Sequence, residues 1–215
     1  MLPITKVNFK FNVYLSVKVI LSSPVLTLLT GVGGSGKTTF CKGLVDVETK
    51  KVLPGLIDRF LNMIYIGKDE IADHYTHDRG LNYQKQIRKT VYDRVYEETE
   101  SVLRTGKNVL IDASFNSQLI EERWYESYHE LATKYDYKMK LIRLIPTADR
   151  LFQQITKRKS SYDKHKDTTT AKNLWDWYEK NEPIDTTHLP SDHLSMKLSG
   201  DFEFDIARLI DYLKY

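Results

Sequence analysis

A chain of 215 residues can bury one substantial core, or one core with a small appendage. Its 41% hydrophobic and 28% charged content is ordinary for a globular protein, and a formal net charge of +3 admits an anionic ligand without requiring nucleic acid. The single cysteine, Cys41, excludes an intramolecular disulfide and a multi-cysteine zinc site; no stretch is apolar enough to span a bilayer, no membrane partner is expected, and a reducing cytoplasm is the expected compartment.

The chain opens on period-two alternation: every second residue from Val7 to Leu21 is apolar. Lys18 interrupts the apolar run 13–21, and no small-residue cleavage site follows, so this is not read as a signal peptide. Residues 1–24 are expected to form a β extension, a strand or hairpin on a sheet edge. Pairing of that strand with a second copy, giving a homodimer, is the alternative, because a long edge strand invites a partner.

Residues 25–29 are a short apolar run, as in a buried parallel strand. Gly31-Val32-Gly33-Gly34-Ser35-Gly36-Lys37-Thr38 then fits the phosphate-loop pattern G-x-x-x-x-G-K-[ST]. Its glycines let backbone N–H groups turn inward around phosphate oxygens. The helix opening at Thr39 would aim its free N–H groups and positive end at the same anion. Lys37 would reach the outer phosphates, and the Thr38 hydroxyl would hold Mg²⁺. Gly31, Gly33, Gly34, Ser35, Gly36, Lys37, Thr38 and Thr39 are therefore the expected binding residues for a nucleoside triphosphate. Cys41, just beyond, reads as a small buried helix residue.

Pro54-Gly55 marks a turn inside residues 46–62. Residues 63–66 are a second short strand, and Asp69 lies just past its end, where parallel sheets place their ligands. A loop carboxylate that is simply solvated, or a helix cap, is the competing reading. Residues 83–103 make a helix with Ile87, Val91, Val95, Val102 and Leu103 on one face, ended by Gly106. Residues 108–112 are a buried strand with Asp112 at its end, the expected place for a second Mg²⁺-organising group. Asn116 or Ser117 can cap the next helix, which carries Arg123 and runs to about Tyr135. Thr133-Lys134-Tyr135-Asp136 has the letters of a guanine-reading motif, but it ends a helix ahead of a strand and is read as coincidence.

Residues 138–145 form another strand, closed by Pro146. Thr147 can cap a helix over 148–156. Residues 157–166 are dense in positive charge, without an aliphatic residue; they suggest a basic lid over about 157–170, with a solvated surface face as the competing reading. Residues 171–180 are a short helix whose Trp175, Trp177 and Tyr178 read as core. A last strand over 194–198 and a last helix over 202–213 follow. The alternation predicts an α/β fold of three layers with a mainly parallel sheet, and one domain over residues 25–215.

The ordered set of phosphate loop, Asp69 after a strand, Val109-Leu110-Ile111-Asp112-Ala113-Ser114-Phe115-Asn116, Arg123, the strand ending Ile145-Pro146 and the basic stretch from Arg158 resembles a known group. It is similar to the small phosphate-loop kinases of the polynucleotide kinase type, with the zeta-toxin kinases and seryl-tRNA kinase in the same broad group. The resemblance runs from Val25 to about Leu198. It implies that Asp69 takes the proton from an acceptor hydroxyl, that Asp112 helps place Mg²⁺, and that Arg158 is a lid arginine over the nucleotide. It implies a basic role for Arg123 toward the substrate. The group often has a second lid arginine where this chain has Tyr162, Asp163 and Lys164, so Lys164 is the residue available to stand in, as a point charge rather than a planar fork. The implied function is transfer of the γ-phosphate of ATP to a hydroxyl, with Lys37, Asp69 and Arg158 catalytic and the 5′-hydroxyl of RNA or DNA as first acceptor. A small-molecule kinase and a non-transferring nucleotide switch are the alternatives.

Overall fold

The computed structural model describes residues 23–45, 63–77, 83–115, 123–158, 166, 168–181, 189–190, 192–199 and 201–214. The expected N-terminal β extension and its dimer contact, the Pro54-Gly55 turn, the Asn116 or Ser117 cap, Lys164 and most of the expected lid lie outside these residues. The described elements, in chain order, are β1 (Val25–Thr30), α1 (Lys37–Val45), β2 (Met63–Gly67), α2 (Lys68–Asp73), α3 (Arg88–Leu103), β3 (Asn108–Asp112), α4 (Arg123–Lys134), β4 (Lys138–Ile145), α5 (Ala148–Arg158), α6 (Ala171–Asn181), β5 (Leu194–Lys197) and α7 (Phe202–Lys214).

β1 is buried at every position, and it occupies the centre of a five-stranded sheet of order β2-β3-β1-β4-β5. All four pairings are parallel. A run of Val, Leu and Thr with no exposed face is what a central parallel strand requires. The register sets Leu29 beside Asp112 and Asp112 beside Gly67, so the C-terminal ends of β1, β2 and β3 lie side by side. The Val25 N–H also donates to the Asn108 side chain at 2.7 Å, fixing the other end of the β1–β3 pair.

Each sheet face is covered. Leu26 and Leu28 of β1 pack with Val91, Tyr92 and Val95 of α3 and with Tyr128 and Leu131 of α4. Val25 and Leu29, pointing the opposite way, pack with Phe40 and Cys41 of α1 and with Leu209 and Leu213 of α7. This gives the three layers that the strand–helix alternation predicts. Cys41 is fully buried among these apolar groups, and burial raises its thiol pKa well above the ordinary value.

Several boundaries differ from expectation, most by a residue or two. The helix over 83–103 begins with a π-helical turn, Tyr83–Ile87, and becomes α-helical only at Arg88. That wider turn carries the buried Tyr83 ring to 5.8 Å from the Lys68 ammonium. α5 runs on through Lys157 and Arg158, two residues past the expected end at 156. Cations in a last turn complement the carbonyl end of the helix dipole, which extends it past Thr156. Asp69 lies just past β2, as expected, in the first turn of α2, a short helix not expected from sequence that starts directly after β2 with Gly67 as its N-cap.

Candidate active site

The phosphate loop joins β1 to α1 and packs on a small apolar cluster of its own. Val32 meets Leu151 and Ile155 of α5 and Leu174 and Tyr178 of α6. Gly34 has φ +90°, and a Cβ placed there would lie 2.7 Å from Ile155 Cδ1 and 3.1 Å from Leu151 Cδ1. Only glycine meets both conditions without strain. Three loop carbonyls accept hydrogen bonds from side chains. Lys37 Nζ donates to Gly31 O at 2.7 Å and Val32 O at 3.0 Å, and the Tyr178 hydroxyl donates to Gly33 O at 2.5 Å.

Asp112 stands beside this loop. The Thr38 hydroxyl donates to its Oδ2 at 2.6 Å, and the Tyr65 hydroxyl donates to the same oxygen at 3.2 Å. Burial pushes the Asp112 carboxyl above the usual carboxylate range, and the charge of Asp69 adds to this; Lys37 and the Thr38 and Tyr65 hydrogen bonds work against it. A buried carboxylate that is costly to ionise is a place where a cation is welcome. Among the described residues no three His, Cys, Asp or Glu side chains gather into a complete metal cage. Mg²⁺ needs none, because it takes one or two protein oxygens and fills the rest with water and phosphate. Thr38 and Asp112, two hard oxygen donors in contact, fit that ion. After Asp112 the chain turns sharply at Phe115, whose φ of +49° is left-handed, and the Ser114 carbonyl accepts from the Thr30 hydroxyl.

The facing wall is α2. Asp69 is largely exposed, and its Oδ1 lies 2.5 Å from Nζ of Lys68, which is only 7% exposed. Burial works against the Lys68 charge, but the neighbouring Asp69 carboxylate, helped by the Tyr92 and Tyr83 oxygens, holds it protonated above the ordinary lysine range. Asp73, one turn further on, lies 3.5 Å from His77 Nδ1. A cleft of about 440 Å³ runs between the loop and this wall, with Gln154 and Arg158 of α5 on its third side. A smaller hollow of about 80 Å³ continues past Gly36 and Thr39 to Phe40, Arg150 and Leu198. There Arg150 donates to the Leu198 carbonyl at 3.3 Å.

Of the residues expected from sequence, Gly33, Gly34, Gly36, Lys37, Thr38 and Thr39 line the cleft, together with Asp69, Asp112 and Arg158. Gly31 and Ser35 stand behind it, buried, as support. Arg123 begins α4; its side chain, like Lys164, is outside what is described. Asp136 precedes the N-terminal end of β4, at the opposite end of the strands from the loop, so it cannot read a base bound there. Lys68, Tyr65, Gln154 and Tyr178 carry no sequence motif. Tyr178 was legible only as an aromatic on a helix, and its contact with the loop depends on how α6 folds back.

The chain belongs to the AAA_33 family, described as an AAA domain, whose model matches residues 26–181. No curated protein matches it by sequence. Solved structures share its fold. A protein of inferred kinase activity from Chloroflexus aurantiacus J-10-fl superposes with a TM-score of 0.60 at 19% identity, covering 88% of this chain and 98% of that one. Shikimate kinase from Bacteroides thetaiotaomicron gives 0.55 at 17% identity, covering 89% and 99%. The Mycobacterium tuberculosis APS kinase CysC, in complex with AMPPNP and APS, gives 0.55 at 15% identity, covering 90% and 99%. At these identities the likeness is one of fold, and it bears out the resemblance to phosphate-loop kinases at that level. No described helix is long and apolar enough to cross a membrane.

Proposed function

We propose that this protein transfers the γ-phosphate of ATP, with Mg²⁺, to a hydroxyl acceptor. The observation that carries the reading is one cleft with two differently built walls. On one wall the Lys37 ammonium, the loop N–H groups and the Thr38–Asp112 pair suit a metal-bound triphosphate. On the other, Asp69 stands open to the cleft with Lys68 beside it. A nucleotide switch has no use for the second wall.

The residues divide the work as phosphoryl transfer requires, by positioning and charge neutralisation. The loop and Lys37 hold the β- and γ-phosphates, and the hollow at Arg150 and Leu198 takes the nucleoside. Thr38 and Asp112 would hold Mg²⁺, which supplies neutralisation of phosphate charge. Asp69 accepts the acceptor hydroxyl proton as that oxygen bonds to the γ-phosphorus and the bond to the β-phosphate oxygen breaks. Lys68 keeps Asp69 oriented. Arg158, on the third side, faces the transferring group.

The 5′-hydroxyl of RNA or DNA is the first acceptor, supported by the sequence resemblance and the mildly basic chain. A small hydroxyl compound is the second reading, and Asp73 favours it: a polynucleotide phosphate next to the reacting hydroxyl would meet two carboxylates on α2. Asp69→Asn is the test. It should bind Mg²⁺-ATP as the wild type does and transfer at least about a hundredfold more slowly. Full turnover with intact ATP binding would remove Asp69 from the role.

A further inference from the structure

Outside the catalytic walls, one buried polar chain touches the phosphate loop and is explained by nothing above. Lys166 is 6% exposed and Tyr178 4% exposed. Lys166 Nζ donates to the Tyr178 hydroxyl oxygen at 2.6 Å, and that hydroxyl donates to the Gly33 carbonyl at 2.5 Å. The ammonium also lies 4.8 Å from the Tyr178 ring and 5.7 Å from the Trp177 ring.

The order of donors is forced. An ammonium has protons and no acceptor, so the tyrosine oxygen must accept from it. The single tyrosine proton is then left for Gly33. Across a trans peptide, C=O and N–H point in opposite directions. Holding the Gly33 carbonyl toward α6 therefore aims the Gly34 N–H away from α6. Gly34 lines the cleft, whereas Tyr178 lies behind the loop in the cluster with Val32 and Ile155. Among the described residues, the Gly31 and Val32 carbonyls accept from Lys37, the side chain that phosphate itself attracts. The Tyr178 bond comes from a residue that has no reason to leave when nucleotide arrives.

We infer that Tyr178, directed by Lys166, is a positioning residue that presets the phosphate loop for a polyphosphate anion. The inference rests on the reading that the loop binds a nucleoside triphosphate. It predicts dependence on the phosphates alone, so the probe pair is ATP and inorganic tripolyphosphate, each titrated calorimetrically with Mg²⁺.

Tyr178→Phe keeps the ring in its apolar cluster and removes only the hydroxyl. Both ligands should bind it roughly three- to tenfold more weakly than wild type, the worth of one buried hydrogen bond. Lys166→Met should weaken both ligands less, because the hydroxyl remains but is no longer directed. In the Tyr178→Phe background, Lys166→Met should add nothing to the loss, a non-additivity that general destabilisation would not produce. Melting temperatures of the ligand-free variants separate folding damage from loop presetting. Wild-type protein that bound neither ligand would overturn the nucleotide reading and this inference with it. Wild-type binding with equal affinities for Tyr178→Phe, or additive losses in the double variant, would overturn the inference alone.

Discussion

Gly34→Ala should destabilise the protein by about 2–5 kcal/mol, and the two sources of that cost can be separated. At φ +90° an alanine is strained whatever its surroundings, at about 1–2 kcal/mol. Its Cβ would also lie 2.7 Å from Ile155 Cδ1, in a cluster where Leu151 and Ile155 are buried, so α5 must shift or the side chain must leave its rotamer. Overpacking of this kind adds about 1–3 kcal/mol. Gly106 is the control. Its φ is +75°, and nothing lies within 4 Å of a Cβ built there. Gly106→Ala should therefore carry the backbone cost alone. Urea unfolding, followed by the fluorescence of Trp175 and Trp177 beside the cluster, measures both variants at matched m-values. Gly34→Ala should be the worse by about 1–3 kcal/mol. Equal losses for the two variants would mean that α5 does not press on the phosphate loop, and the packing account of that loop would fail.

Other consequences are as direct. Lys68→Met keeps the buried volume but removes this cation from beside Asp69; kcat should fall about tenfold while KM for ATP does not change. A loss of ATP affinity instead would place Lys68 on the donor side. Asp112→Asn should bind Mg²⁺-ATP at least about tenfold more weakly, yet bind metal-free ATP more tightly than wild type, because a carboxylate facing phosphate has gone. Weakening of both by the same factor would argue against metal placement. Glu100 accepts from Lys134 and the Tyr135 hydroxyl, each at 2.8 Å, and pairs with Arg104; these bonds, Lys134 first, pull its pKa from 4.5 down to about 2. Because the folded value lies below the unfolded one, its stabilisation is present above about pH 4.5 and is lost as pH falls toward 2. The gap in melting temperature between wild type and Glu100→Gln should hold constant above pH 5 and close across that window; a gap that persists at pH 2 would contradict the linkage.

The parts of this molecule legible from sequence are those with local rules. The phosphate loop is a contiguous pattern, and the strands of a doubly covered parallel sheet are short apolar runs, so β3 and β4 can be placed with their end residues and β1 to within one. Asp112 followed from β3 because a strand's end fixes where its last side chain lies. Lys68 did not follow. Its burial depends on a π-helical turn bringing Tyr83 beneath it from a separate element, and no residue pattern signals that turn. Tyr178 is similar: its apolar ring predicted core, which it is, but the partner of its hydroxyl depends on α6 returning to a loop far earlier in the chain. The short helix α2 carries no start signal in the sequence, for a smaller reason. Gly67 caps it without a side-chain hydrogen bond, so the usual Ser, Thr, Asp or Asn signal is missing.

The most direct test of phosphoryl transfer uses γ-labelled ATP with Mg²⁺ and four acceptors: a 5′-hydroxyl RNA, a 5′-hydroxyl DNA, a tRNA pool and a mixture of small hydroxyl metabolites. Label should appear on an acceptor, vanish with Lys37→Ala, and fall sharply with Asp69→Asn. An oligonucleotide end carrying the label would identify the first acceptor proposed, and a labelled metabolite would identify the second. Tight ATP binding with all label remaining on ATP, or released only as phosphate, would contradict the account.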